Sequence, residues 1–238
     1  MNVCITSVGC RARYTPYLDR LENSLKRYSL NTPRLFFRDV WPPSSPTHMD
    51  SHYAFKAYAL KSVYMAGFDV GIWLDASCEV LQDPYPLFVK IIQQSYYITT
   101  GGEKLGHWIN DQALTHFGYT RDQAMDLPLC GGAIVGLNFF DGFGWSFLKE
   151  WLKLVDQGLL YTSHSEFAPG SMTSLQVSDG PSREVQSKDP RFLGHRSDEA
   201  CFSLMLDKRG LKPFSNSEYF THAAMPNPKA IIKTGYDL

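Results

Sequence analysis

At 238 residues and 44% hydrophobic content the chain is long enough to bury a full core, and its formal net charge of −1 lacks the surplus of Lys and Arg on which nucleic-acid binding rests. The five cysteines, Cys4, Cys10, Cys78, Cys130 and Cys201, are odd in number and mostly set in apolar stretches, which argues against a disulfide framework and for reduced core thiols. No run approaches the roughly 18 apolar residues needed to cross a bilayer, and the opening MNVCITSVGCRAR lacks the charge order of a secretion signal, so a cytosolic protein is expected.

In chain order, Val3 to Val8 is a short apolar strand ending at Gly9, and YTPYLDRLENSLKRYS repeats Tyr17, Leu18, Leu21 and Leu25 at helical spacing. PRLFFRDVW is a second strand, closed by the breakers of Pro42 to Pro46. A helix over YAFKAYALKSVYMAG, with Gly67 at its C-terminal end, leads into a buried strand from Val70 that ends on Asp75. YYITTGG (Tyr96 to Gly102) and GGAIVGLNFF (Gly131 to Phe140) are further strands, with two short helices between them, and WSFLKEWLKLVDQG is an amphipathic helix. From Ser163 to about Gly194 the pattern dissolves into Ser, Gly, Pro and charge, as in a mobile lid loop. SDEACFSLMLDKRG restores a helix, with Ser197 as its expected N-cap and Gly210 just past its end. Strands alternating with helices predict a single α/β domain over 1–238 with a central, mostly parallel mixed sheet.

Polar groups gather at three places: Val8-Gly9, Asp75-Ala76-Ser77, and GHRSDEA from Gly194 to Ala200. In a parallel sheet these share the rim where ligands bind. Neither the glycine-rich dinucleotide fingerprint nor a P-loop follows the first strand, and no G-x-S-x-G elbow occurs, so hydride transfer, ATP hydrolysis and serine hydrolysis lose their signatures. An acid at a strand end suits a divalent cation holding a phosphate-bearing ligand; it equally suits a turn cap or a Lys partner.

The run FKAYALKSVYMAGFDVGIWLDASCEVLQDPYPLF resembles the core of nucleotide-sugar glycosyltransferases of the GT-A fold, in which a Lys-bearing helix precedes a strand ending in Asp-x-Asp. Here the second Asp is Ser77. LCGGAIVGLNFF is similar to the strand backing the donor sugar, and HRSDEACFSLML to a segment HR-x-Asp-Gln, with Glu199 in place of the Gln. The resemblance spans Val3 to Gly210. It implies transfer of a sugar from a UDP- or GDP-linked donor to a hydroxyl acceptor, with Mn²⁺ or Mg²⁺. By the same resemblance Ser7, Val8, Gly9, Arg13, Lys56 and Asp75 would hold the nucleotide. Gly131, Gly132, His195, Arg196 and Asp198 would surround the sugar, with Asp198 catalytic, and Asp75, Ser77 and His222 would ligate the metal. Two other readings remain open at this point: a sugar nucleotidyltransferase and a non-catalytic nucleotide-sugar or glycan-binding module.

Overall fold

The computed structural model describes residues 1–10, 12, 14–48, 50–160, 186–216, 218–222 and 227–235. The strands and helices that position the rim come first. Strand β1 (Val3–Gly9) is followed by α1 (Thr15–Tyr28), β2 (Arg34–Arg38), α2 (Ala54–Met65) and β3 (Val70–Leu74). Next come β4 (Cys78–Val80), α3 (Tyr85–Gln94), β5 (Tyr96–Lys104), α4 (Asp111–Phe117), α5 (Arg121–Met125), β6 (Pro128–Asn138) and α6 (Phe143–Asp156). After the segment outside the description, α7 (Ser197–Asp207) precedes the short strands β7 (Phe214–Ser215), β8 (Phe220–His222) and β9 (Ile232–Thr234).

Six strands form one sheet in the order β2-β1-β3-β6-β5-β7. β1 is parallel to β2 and β3, and β5 to β7, while β6 runs antiparallel to both β3 and β5. The expected mostly parallel mixed sheet is therefore present, with β6 as its reversed member. That reversal has a consequence for the rim: Leu74 pairs with Ile134, and the Asp75 N–H donates to the Ala133 carbonyl at 2.9 Å. The start of β6, with Gly131 and Gly132, thus lies beside the end of β3.

Alternation along β3 sends Trp73 to one face and Ile72 and Leu74 to the other. The Trp73 face is covered by α2, α4, α6 and α7, and the opposite face by α1, α3 and the small sheet β4-β9-β8. Helix α1 packs close because Gly9 has no Cβ; one there would meet Leu18 Cδ2 at 2.8 Å. Gly9 therefore serves helix packing, a role the sequence did not distinguish from ligand approach. All five cysteines are buried, no two of them are bonded among the described residues, and burial pushes the Cys4 and Cys130 thiols up to about 12.

Two expectations need correction. Ser197 is not the N-cap of α7: the cap position is Arg196, no side chain caps the helix, and the Ser197 hydroxyl donates instead to the Leu160 carbonyl at 2.9 Å. The expected mobile loop of 163–194 also ends earlier at its C-terminal side. Residues 163–185 lie outside the described residues, but 186–194 are docked. Arg121 donates to the Ser187 hydroxyl at 3.1 Å and to the carbonyls of Gly106 and Ile109, while Phe192 is fully buried. Buried contacts of this kind hold a polar segment in place without regular structure. Among the described residues no helix is long and apolar enough to cross a membrane.

Candidate active site

The rim gathers one buried ammonium and three carboxylates. Lys56 lies on the core-facing stripe of α2 with Ala59, Leu60 and Val63, and is 3% exposed. Its Nζ donates to the Gly132 carbonyl at 2.8 Å and lies 3.2 Å from Asp75 Oδ1 and 3.3 Å from Asp198 Oδ2. The ammonium is thus hydrogen-bonded to one backbone carbonyl and flanked by two carboxylates. Lys56, expected from the sequence to reach ribose or phosphate, ties α2, β3, β6 and α7 together here. Its neighbouring carboxylates raise its pKa against the opposing effect of burial, which keeps it charged.

Asp75 stands one residue past β3, on the Trp73 face. Trp73 Nε1 donates to its Oδ1 at 2.8 Å, and its side chain is 30% exposed. The turn that follows is clamped from α1, where Arg20 donates to the carbonyls of Ser77 and Gly235, each at 2.7 Å. Nothing in the local sequence around Arg20 signals this, because both acceptors are backbone groups distant in the chain.

Asp198, in the first turn of α7, is 2% exposed. Its 3.3 Å contact with Lys56 is a charge contact without hydrogen-bond geometry, so Oδ2 is buried with no donor among the described residues. Burial pushes its carboxyl up to about 7, partly opposed by Lys56, while Glu199 and Asp75 add to the rise. Glu199 accepts from the Gly132 N–H at 3.1 Å and pairs with Arg196 at 3.3 Å. Ser203 in the next turn accepts from the Cys130 N–H at 2.9 Å, so α7 satisfies amides at the start of β6.

Gly132 makes this convergence possible, since a Cβ there would lie 3.1 Å from Asp198 Oδ2, Glu199 Cγ and Lys56 Nζ alike. At Gly131 a Cβ would meet Thr99 Oγ1 at 3.1 Å. Gly132→Ala is therefore expected to fold but to displace Asp198, and misplacement of a reacting group can cost on the order of 10²-fold in rate. Turnover assays beside thermal melts check this; wild-type turnover would remove Gly132 from the positioning of Asp198.

The remaining expected residues are distributed as follows. Ser7 is fully buried in β1 and its hydroxyl has no hydrogen bond among the described residues; Val8 is buried beside it. Arg13 lies outside the described residues. His195 turns inward: Nε2 meets the Leu159 carbonyl at 2.9 Å, Nδ1 faces the Asn110 N–H at 3.4 Å, and burial lowers its pKa to about 4. Its neutral ring anchors the approach to α7. Arg196 sits 4.6 Å from the Trp108 ring.

The residues expected to ligate Mn²⁺ or Mg²⁺ do not assemble a donor set. Asp75 Oδ1 is engaged by Trp73 and Lys56, and Ser77 Oγ is buried against Thr234 Oγ1 at 3.0 Å. His222 is exposed at the end of β8, with β9 between it and β4. Among the described residues no three His, Cys, Asp or Glu side chains come together as ligands, whereas such cations take several oxygen ligands.

No family model matches the chain, and no curated protein matches it in sequence. Solved structures do. A glycosyltransferase involved in the glycosylation of the major capsid of PBCV-1 aligns with a TM-score of 0.52 at 9% identity, over 100% of this chain and 95% of that one. Mouse xyloside xylosyltransferase 1 in its apo form aligns with a TM-score of 0.50 at 10% identity, over 99% of this chain and 98% of that one. The chain has a GT-A-like fold. Within the GT-A-like fold, the end of β3, the start of β6 and the first turn of α7 are brought to one rim by the strand order and by α7 docking on β6.

Proposed function

We propose that the protein is a glycosyltransferase that moves a sugar from a UDP- or GDP-linked donor to a hydroxyl acceptor. The observation that carries this reading is the Asp198 carboxylate, buried on the rim with an oxygen that has no hydrogen-bond donor among the described residues. Buried polar atoms are satisfied in most proteins, and a substrate hydroxyl is the donor this one lacks. A carboxyl tuned to about 7 also suits proton transfer at neutral pH.

In the reaction the acceptor oxygen bonds to the anomeric carbon as the bond from that carbon to the diphosphate oxygen breaks, and the electron pair leaves with the nucleoside diphosphate. Asp198 takes the acceptor's proton. Positive charge on the sugar ring is met by the carboxylate of Asp198, and Lys56 holds the positions of Asp198 and Asp75. Asp75, the more exposed of the two, accepts from the ribose hydroxyls of the donor. No step is assigned to a metal.

The test is donor hydrolysis and transfer with UDP-glucose, UDP-galactose, UDP-N-acetylglucosamine and GDP-mannose, each with and without Mn²⁺. Turnover separates an enzyme from a binding module. Asp75→Ala is expected to weaken donor binding at least about 10-fold in a folded protein, because a charged hydrogen-bonding partner contributes about 1.5–3 kcal/mol. Calorimetric titration with the hydrolysed donor measures it, and unchanged affinity would place the donor elsewhere.

A further inference from the structure

The connection from β2 to α2 and the start of α2 carry aromatic residues that are partly exposed beside the rim, with Trp41 and Phe55 also packing on the core. Tyr53, at the N-cap of α2, has φ 58, the left-handed region that a bulky residue adopts only when its surroundings impose it. Its N–H faces His48 Nδ1 at 3.4 Å, and the two rings meet edge-on at 4.9 Å. Tyr53 is partly exposed, and its ring lies 6.3 Å from that of Phe55 and 4.9 Å from Lys56 Nζ, the charged group of the rim.

The aromatic wall continues from there to Asp75. His48 lies 5.8 Å from Phe55, Trp41 lies 5.3 Å from Phe55, and Phe55 lies 5.8 Å from Trp73, whose indole N–H holds Asp75. Trp41, His48 and Phe55 are each partly exposed, like Tyr53. Aromatic faces therefore border carboxylates along one side of the rim.

That pairing has a specific chemical match. A pyranose ring presents a face of C–H groups bounded by hydroxyls; the face suits the negative side of an aromatic ring, and the hydroxyls suit carboxylate acceptors. We propose that Tyr53 and the rings beside it form a saccharide platform on which a pyranose of the donor or of the acceptor stacks while its hydroxyls reach the acidic rim. The inference rests on the glycosyl-transfer reading above.

Tyr53→Phe keeps the ring and Tyr53→Leu removes it; Tyr53→Asn also removes it and accepts the left-handed backbone, so it serves if the Leu variant does not fold. Calorimetry compares UDP-glucose, UDP-galactose, UDP-N-acetylglucosamine and GDP-mannose with UDP and GDP alone, and transfer assays use 4-nitrophenyl glycosides as acceptors. The ring-less variants are expected to lose about 10-fold in one sugar-dependent quantity, with UDP and GDP affinity unchanged and the Phe variant within about twofold of wild type. Loss in the nucleotide sugar identifies the donor ring, and loss in acceptor KM alone identifies the acceptor ring. Equal loss for UDP or GDP would make Tyr53 a nucleotide contact and overturn the platform, as would ring-less variants indistinguishable from wild type. A wild-type protein that binds and turns over none of the panel overturns the glycosyl-transfer reading, and the platform with it.

Discussion

Asp198→Asn is expected to lower the transfer rate by about 10²-fold or more, while nucleotide affinity stays within about twofold. Asn preserves the shape of the side chain and is as good a helix cap as Asp, but it cannot take a proton. A capping role is in any case not what the structure contains, since no side chain caps α7. The wild-type rate should rise with pH through a midpoint near 7, the value to which burial pushes this carboxyl, and the variant should lack that limb. Stability provides an independent check. Between the ordinary carboxyl value of 3.8 and about 7 the folded protein holds a proton that the unfolded chain has released, so this residue's contribution to stability falls as pH rises through that window. Above it the cost of the buried charge is constant. The melting temperature of Asp198→Asn should therefore climb relative to wild type from pH 4 to pH 7. A variant that transfers sugar at near wild-type rate would end the catalytic assignment.

Lys56→Met is expected to destabilise the protein by about 3–5 kcal/mol, the range seen when one partner of a buried ion pair is removed. For a chain of this length that is a fall of roughly 10 °C in melting temperature. The reason lies in the cluster's charges: Asp75, Asp198 and Glu199 converge on the start of β6, and Lys56 is the ammonium among them. Without it, two carboxylates lose a counter-charge and the Gly132 carbonyl loses a donor. Transfer should fall with stability, because the positions of Asp75 and Asp198 depend on the same nitrogen. The double variant Lys56→Met with Asp198→Asn should be more stable than the sum of the single effects, by on the order of 1–3 kcal/mol, since it removes a buried charge together with its partner. Denaturant melts of the four proteins measure this. Strict additivity, or a Lys56→Met melting temperature equal to that of wild type, would mean that the cluster is not coupled.

Much of this arrangement was legible in the residues. The six-residue run from Val70 read as a buried strand delivering Asp75 to its end, and the alternation of strands with helices argued for a largely parallel sheet. Lys56 was read from the sequence as a ribose or phosphate contact; its place on the buried stripe of α2 with Ala59, Leu60 and Val63, and what it meets there, came only from the fold. The small strands β4, β7, β8 and β9 were not legible, because elements of two or three residues are too short to carry a period. Helix α3 was hidden behind the Pro-containing turn that begins it. Tertiary structure decided the rest. The reversal of β6 sets the Gly132 carbonyl over Lys56 Nζ, and the left-handed Ser197, φ 40, starts the turn that carries Asp198. Asp198's altered acidity exists only because α7 is buried along its length. Composition and spacing report which face of each element is apolar. They do not report which polar groups from distant elements meet once those faces close, and it is the desolvation at that meeting point that turns an ordinary Lys and an ordinary Asp into a coupled pair.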